Sequence, residues 1–187
     1  MTKICRCHWV NLKNPVYIAY HDSEWGNPNL SEQEMYELFI LETFQAGLSW
    51  ECVLNKRGSF RVAYEGFDPK KVASFDEDKI HSLLENPLII RNYRKILASI
   101  SNTRIYLEIL SEYTTFRAYF ESFLPEKTVY EPYTLQTTSP ISDTIARDLK
   151  RRGMKFCGST IVYSFLQAAG FINAHGPECD WRKKLSF

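Results

Sequence analysis

Apolar side chains recur every three or four residues along most of this chain, which is the period of an α-helix with one buried face. Ser31 and Glu34 form a capping-box pattern directly before one such series, so a helix is predicted through Met35, Leu38 and Leu41. Further helices are predicted where a capping residue precedes the series and Gly or Pro follows it. These lie at residues 69–75, 77–86, 89–110, 116–123, 142–149 and 159–170.

The rest of the pattern gives no sign of a β-sheet. Residues 130–140 are rich in Thr, Pro and Tyr, which is typical of a loop. We find no series of alternating polar and apolar residues, no internal repeat and no low-complexity tract. A length of 187 residues suits one domain. The predicted fold is therefore all-α, in a single domain covering residues 1–187.

The composition narrows the class of protein only slightly. Hydrophobic residues make up 44% and charged residues 24% of the chain, as in ordinary soluble globular proteins. Because the formal net charge is only +1, binding to nucleic acid would have to rest on local patches of positive charge. Neither a membrane-spanning run nor a secretory signal is present, so we expect a cytoplasmic protein that does not bind membranes. In that compartment the five cysteines would be reduced, buried or metal-bound.

Glu42 is out of place on its predicted helix. It comes three residues after Phe39 and four after Leu38, so it shares their apolar face. An unpaired buried carboxylate is costly, and proteins usually keep one for a partner or a function. Either this end of the helix reaches solvent, or Glu42 faces a binding site. Trp50 follows shortly after Gly47, and a carboxylate beside an indole suits a flat cationic group, although a Trp near a helix end can equally belong to the core.

Residues 150–160 form a second pattern of interest. One predicted helix is terminated by Gly153, and the next begins at Ser159, directly after Gly158. The amides and the dipole at the start of a helix favour an anion. Four basic residues surround this turn: Lys150, Arg151, Arg152 and Lys155. The layout is that of a helix-hairpin-helix module, at about residues 142–169, which grips the DNA backbone without reading its sequence. The alternative is a charged run that is merely solvated.

Cysteines and histidines occur near both ends of the chain. The spacing of His175 and Cys179 suits two ligands on one turn of chain, and a Cys and a His from the N-terminal segment would complete a tetrahedral zinc site. Such a site would tie the two ends together. The N-terminal candidates are Cys5, Cys7, His8 and His21. Since none of these pairs is a compact CxxC knuckle, unrelated surface residues remain the alternative.

Four stretches of the chain closely resemble the 3-methyladenine DNA glycosylase I family. They are CHWVNLKNPVYIAYHDSEWG, LETFQAGLSWECVLNKR, RNYRKILASISN and KRRGMKFCGSTIVYSFLQAAGFINAH. The resemblance implies a helix-hairpin-helix superfamily fold with a structural zinc ion. The ligands it implies are Cys7, His21, His175 and Cys179, with Cys7 preferred to Cys5 because it lies two residues before a Trp. His8 replaces a residue that is usually small, which makes it a rival ligand.

The resemblance also implies the roles of the site residues. Glu42 is expected to accept hydrogen bonds from the methylated base, Trp50 to stack on it and Tyr20 to add a polar contact. Further aromatic residues in or around the pocket are Trp9, Tyr17 and Trp25. The loop entering the gap left by the flipped nucleotide is expected to consist of Gln45, Gly47 and Leu48. The hairpin residues expected to contact phosphate are Gly153, Lys155, Gly158 and Ser159.

The expected reaction is hydrolytic release of 3-methyladenine from alkylated double-stranded DNA by a monomeric enzyme. Related glycosylases of broader range resemble one another in placing an Asp soon after the hairpin, and those with lyase activity add a Lys. Residues 159–175 contain neither, which favours a monofunctional enzyme. The rival interpretations are a non-catalytic DNA-damage binding module, a zinc-stapled helical interaction protein, and a glycosylase for oxidised or mismatched bases.

Overall fold

The computed structural model describes residues 4–126, 128–130 and 136–184, and this part of the chain is mostly helical. Its elements in chain order are α1 (Pro15–Ser23), α2 (Glu32–Gln45), α3 (Trp50–Ala63), a 3-10 turn (Glu65–Phe67), α4 (Pro69–Ala73), α5 (Glu77–Glu85), α6 (Tyr93–Tyr113), α7 (Phe116–Glu121), β1 (Val129–Tyr130), α8 (Pro140–Arg151), α9 (Ser159–Ala168), β2 (Ile172–Asn173) and α10 (Trp181–Lys184). None of the described helices is long and apolar enough to cross a membrane.

Helix α2 lies at the centre of the packing. Its predicted capping box is confirmed, because the Ser31 hydroxyl accepts from the Glu34 N–H while the Glu34 carboxylate accepts from the Ser31 N–H at 2.8 Å. Every residue from 35 to 44 is buried, so this helix is enclosed on all sides rather than on one face. Helices α3, α6, α7 and α9 pack around it. The buried setting predicted for Glu42 follows directly from this position.

Two predicted helix starts differ from the observed ones. Helix α6 begins at Tyr93 rather than at residue 89, because the side chain of Asn92 accepts a hydrogen bond from the Lys95 N–H and caps it. Helix α8 begins at Pro140 rather than at Ser142, because Ser139 is the N-cap. The helices predicted after Asp68 and Asp76, around residue 116 and at Ser159 are confirmed.

Three helices and a small sheet were not predicted. Helices α1 and α3 lack a clear apolar period. Arg57 pairs with both Glu24 and Glu37 and so joins α3 to the end of α1 and to α2, while Val53 and Phe60 of α3 are buried in the core. Helix α10 is only one turn long. Strands β1 and β2 pair in parallel, and at two residues each they are too short for an alternating pattern. Residues 131–135 of the predicted loop lie outside the described residues.

Candidate functional site

A cavity of about 180 Å³ lies where α1, α2 and α9 meet. Its lining is aromatic and polar, and consists of Trp9, Tyr17, Tyr20, Trp25, Glu42, Gln45, Trp50, Ser164 and Gln167. Pockets for drug-sized ligands usually start at about 300 Å³, so this one has room for a single small, flat molecule. The first seven residues include every predicted pocket residue. Ser164 and Gln167 were missed, although two polar residues spaced by three in the mostly apolar stretch that follows Thr160 in α9 are a recognisable signal.

Glu42 is the only carboxylate among the residues lining this cavity, and its side chain is 3% exposed. Its Oε2 atom has no hydrogen-bond partner among the described residues. Burial raises the pKa of this carboxyl from 4.5 to about 8. A carboxylate that is kept dry and without a partner is ready to pair with a cationic ligand.

Two further polar atoms of the cavity are likewise buried without a hydrogen-bond partner among the described residues. They are Gln45 Oε1 and Trp50 Nε1. Buried polar groups in folded proteins are nearly always paired, so an unpaired set marks a place where a ligand or water completes the bonding. One donor and two acceptor groups therefore point to a ligand with both donors and acceptors on its edge.

Aromatic rings form the walls of the cavity. The Tyr20 and Trp50 ring centroids are 5.4 Å apart with the planes inclined by 49°. On the opposite side Trp9 packs edge-on against Trp25 at 4.8 Å and lies 5.4 Å from Tyr17. Burial and the neighbouring Glu42 raise the pKa of Tyr20 well above its usual value of 10, so its hydroxyl stays protonated. These walls suit a planar aromatic ligand.

The turn between α2 and α3 carries the predicted loop residues to different places. Gly47 has φ +78°, a left-handed conformation that side chains rarely adopt, and it lets the chain reverse within three residues. Leu48 lies at the tip of this turn with 41% of its surface exposed. The side chain of Gln45, the third residue expected in this loop, lies on the cavity wall.

The turn between α8 and α9 contains two residues with positive φ and leaves the start of α9 without a side-chain cap from the described residues. Gly153 has φ +101°, and Phe156 also has a positive φ of 57°. No side chain within the described residues caps α9 at Gly158, so the first N–H groups of this helix are available to an anion. The Ser159 hydroxyl bonds Ser142 at 2.8 Å and donates to Asp143. The hydroxyl proton of Ser159 is therefore already used within the protein, and the donor that Ser159 can offer to an anion is its backbone N–H.

The basic residues of this turn divide into two groups. Arg151 and Arg152 both pair with Asp148, and Arg152 also pairs with Glu112, so the charge of these two arginines is partly balanced within the protein. Exposed Lys155 remains beside the turn. It lines a groove of about 1040 Å³ whose other cationic residues are Arg94, Arg147 and Lys150. Positive charge thus collects on the α6 and α8 side of the hairpin.

Two cysteines and two histidines meet beside the cavity, although they come from opposite ends of the chain. The ligand atoms of Cys7, His21, His175 and Cys179 all lie within 4.8 Å of one another, and all four residues are buried. The sequence had left Cys5 and His8 as rivals, and neither belongs to this cluster. Instead the Cys5 N–H donates to the Asp180 carboxylate at 2.9 Å, and the Cys5 carbonyl accepts from the Asp180 N–H at 3.0 Å.

The cluster fits a tetrahedral metal ion. For zinc–sulfur and zinc–nitrogen bonds of about 2.3 and 2.05 Å, tetrahedral geometry places each sulfur about 3.6 Å from each nitrogen. The observed sulfur–nitrogen distances are 3.5 Å from Cys7 to His175, 3.4 Å from Cys179 to His175 and 3.5 Å from Cys179 to His21. Burial lowers the pKa of both histidines, that of His175 to about 4, which keeps their rings in the neutral form that binds metals.

The surroundings of the cluster connect it to the cavity. The other ring nitrogen of His21 lies 2.8 Å from Asp22, the carboxylate–histidine arrangement that orients metal ligands. On its other side, His21 packs against Trp9 with ring centroids 5.3 Å apart, and Trp25 packs against His175 at 4.5 Å. Two walls of the cavity therefore rest on the cluster.

The fold and these sites together define a helical protein with an aromatic cavity that contains a buried carboxylate, and with a helix start that no described side chain caps, at a turn flanked by basic residues. Comparison with known proteins gives the same class. The methyladenine glycosylase family matches residues 9–183, and the chain belongs to this family.

Three relatives show how close the similarity is. DNA-3-methyladenine glycosylase 1 of Escherichia coli (strain K12) is 42% identical over 93% of this chain and 95% of that protein. DNA-3-methyladenine glycosylase of Haemophilus influenzae is 36% identical over 93% of this chain and 96% of that protein. A crystal structure of a variant 3-methyladenine DNA glycosylase I in complex with 3-methyladenine superposes with a TM-score of 0.89, at 32% identity and over 95% of this chain and 97% of that chain.

Proposed function

We propose that this chain is a DNA glycosylase of base-excision repair, which flips 3-methyladenine out of double-stranded DNA and hydrolyses its glycosidic bond without a lyase step. The observation that carries the proposal is the buried carboxylate of Glu42, whose Oε2 atom has no hydrogen-bond partner among the described residues and which lies in an aromatic cavity sized for one base. Family membership and the relative's complex with 3-methyladenine support it.

Methylation at N3 makes the base in DNA a cation, so its bond to the sugar is already weakened. When the bond from C1′ to N9 breaks, its electron pair passes to the base, which leaves neutral, and the positive charge moves to the sugar. Water then adds at C1′ and loses a proton. Such a leaving group needs little acid catalysis, so the enzyme acts chiefly by extracting, binding and selecting the base. The absence of Asp and Lys from residues 159–175 agrees with a monofunctional enzyme.

In the cavity, the carboxylate of Glu42 pairs with the cation and accepts hydrogen bonds from its edge. Trp50 stacks on the base, which is worth about 1–3 kcal/mol for one base on one aromatic ring. Tyr20 stays protonated and supplies a polar contact. Trp9, Tyr17 and Trp25 complete the walls.

Outside the cavity, DNA is held at two turns. Leu48 enters the gap left by the flipped nucleotide, since it is the exposed apolar tip of a turn shaped by Gly47 and anchored by Gln45 on the cavity wall. The backbone amides that follow Gly158 bind a phosphate, with Lys155 adding charge and Gly153 shaping the turn. These contacts do not depend on the base sequence.

The metal is zinc with a structural role, held by Cys7, His21, His175 and Cys179. It supplies bonds that join the two ends of the chain, and no chemical step passes through it. The chain acts as a monomer and as one domain, with the helix-hairpin-helix module at about residues 142–169. The cytoplasm is the compartment that fits five cysteines without a disulfide between them.

The test is base release from DNA treated with a methylating agent, with the free bases separated by chromatography. Wild-type protein should release 3-methyladenine, and Glu42→Gln should release much less. Glu37→Gln is the matched control, since Glu37 is a buried carboxylate on the same helix that pairs with Arg57 and Arg61 and does not line the cavity. No release by folded, zinc-loaded wild type would refute the enzyme and leave a damage-binding module.

A further inference from the structure

Helix α6 carries a buried lysine that none of the roles above uses. The side chain of Lys95 is buried, with 6% exposure. Its Nζ atom donates to the carbonyl of Phe44 at 2.8 Å and to that of Ala46 at 2.6 Å. These carbonyls lie at the C-terminal end of α2, where the helix has unpaired acceptors and negative partial charge. Lys95 therefore holds the chain on both sides of Gln45, where the turn that presents Leu48 begins.

The same lysine also reaches the other turn that faces DNA. Its Nζ atom lies 5.9 Å from the ring centroid of Phe156, in the hairpin between α8 and α9. Phe156 has a left-handed backbone, with φ 57°, within this hairpin. Lys95 thus contacts the two turns at once.

A second residue of α6 holds the hairpin directly. Asn102 is fully buried, and its amide donates to the Lys155 carbonyl at 2.8 Å while its oxygen accepts from the Lys155 N–H at 2.8 Å. A single side chain therefore bonds both backbone polar groups, the N–H and the carbonyl, of one residue in the hairpin. Asn102 follows Lys95 by seven residues, which places the two on one face of the helix about 10 Å apart along its axis.

We propose that Lys95 and Asn102 are positioning residues, which use one face of α6 to set the distance between the turn that enters the base stack and the hairpin that binds the phosphate. The inference rests on the proposed function, because it assigns a purpose to contacts with two DNA-facing turns. Base extraction requires Leu48 to arrive at the gap while the backbone is held. A misplacement of about 1 Å between such groups can lower a rate by about 100-fold.

The variants that test this are Lys95→Met, which keeps the length and removes the donors, and Asn102→Leu, which keeps the approximate volume. Thr103→Val is the matched control. Thr103 is fully buried on the same helix, and its hydroxyl bonds Tyr36 at 2.7 Å and the Ser99 carbonyl at 2.6 Å, so it contacts neither turn. All three variants remove buried hydrogen bonds, and their melting temperatures should fall.

Four measurements separate positioning from general stability. They are the affinity for free 3-methyladenine by Trp fluorescence, the affinity for duplex DNA with a tetrahydrofuran abasic analogue, the fluorescence of 2-aminopurine beside that analogue, and the single-turnover rate of base release. Lys95→Met should keep both affinities within about threefold, lose most of the 2-aminopurine response, and release base about 10- to 100-fold more slowly. Asn102→Leu should weaken DNA binding about 10-fold and keep the affinity for the free base.

The control decides the interpretation. Thr103→Val should leave all four quantities within about twofold at a lower melting temperature. If Lys95→Met and Asn102→Leu change them only in proportion to their loss of folded protein, as Thr103→Val does, the two residues are merely structural and the inference is wrong. The 2-aminopurine and affinity measurements need no chemistry. A wild type that binds DNA but releases no base would therefore refute the proposed function. The inference would still be decided by the 2-aminopurine fluorescence and the two affinities.

Discussion

Replacing Glu42 by Gln should stabilise the unliganded protein, and more so as the pH rises. Burial raises the pKa of Glu42 from 4.5 to about 8. Because the folded pKa lies above the unfolded one, this group favours folding fully below pH 4.5, and its contribution is lost as the pH rises to 8. Each pH unit inside that window changes the free energy of unfolding by about 1.4 kcal/mol. Between pH 5 and pH 8 the loss is about 3.5 kcal/mol for wild type, and Gln, which does not titrate, avoids it.

The assay is urea unfolding of wild type and Glu42→Gln at pH 5, 6, 7 and 8. All other titrating groups are shared, so they cancel in the difference between the two proteins. The nearest phenols do not interfere, because the pKa of Tyr17 is raised to about 12 and that of Tyr20 well above 10. Glu37→Gln should instead destabilise the protein, because it leaves Arg57 without a buried partner.

The same titration predicts the pH dependence of the activity. Only the ionised carboxylate of Glu42 pairs with a cationic base, so kcat/KM of wild type should rise as the pH increases through about 8. The profile of Glu42→Gln should lack this rise. Unfolding free energies of the two proteins that stay parallel from pH 5 to pH 8 would show that Glu42 titrates normally. The dry, unpaired carboxylate on which the proposed function rests would then be refuted.

Three further predictions concern the turns and the metal. Leu48→Ala should change the free energy of unfolding by less than about 0.5 kcal/mol, yet slow base release from duplex DNA about 10-fold without affecting affinity for the free base. A chelator should lower both the melting temperature and the affinity for free 3-methyladenine, because Trp9 packs on the cluster. Cys52→Ser is the control, because Cys52 lies outside the cluster and this variant should respond to the chelator as wild type does. Lys155→Ala should reduce the slope of log affinity against log salt by about 1, whereas Arg151→Ala, whose residue is paired with an Asp, should not. A falling slope in both variants would contradict this division.

Helix starts were predictable because the interactions that set them are local. The capping box of Ser31 and Glu34 and the side-chain caps of Asp68 and Asp76 each join groups within three residues of one another. Missed starts had competing local signals, as at Ser142, which belongs to a capping box whose first member is Ser139. Helices α1 and α3 were missed although each starts at a local cap, Asn14 before Pro15 in α1 and Ser49 in α3, because neither shows a single continuous apolar face.

The candidate site divides in the same way. Glu42 could be recognised from the sequence because the apolar residues with which it shares a helix face, Leu38 and Phe39, lie within four residues of it. Lys95 could not, because its partners are carbonyls 49 and 51 residues away. The pairing of Arg151 and Arg152 with Asp148 likewise shows only in the structure.

By itself, therefore, the sequence determined the helical class, most helix starts, the anomalous carboxylate and, through resemblance, the family and four candidate metal ligands. Only the tertiary structure decided that Cys7 meets His175 across 168 residues, that Ser164 and Gln167 join the cavity wall, and that α6 ties two turns together. The physical reason is the separation along the chain over which each interaction acts. Caps and helical periods act over one turn of chain, whereas burial, charge pairing and metal geometry depend on which distant segments the packed core brings into contact.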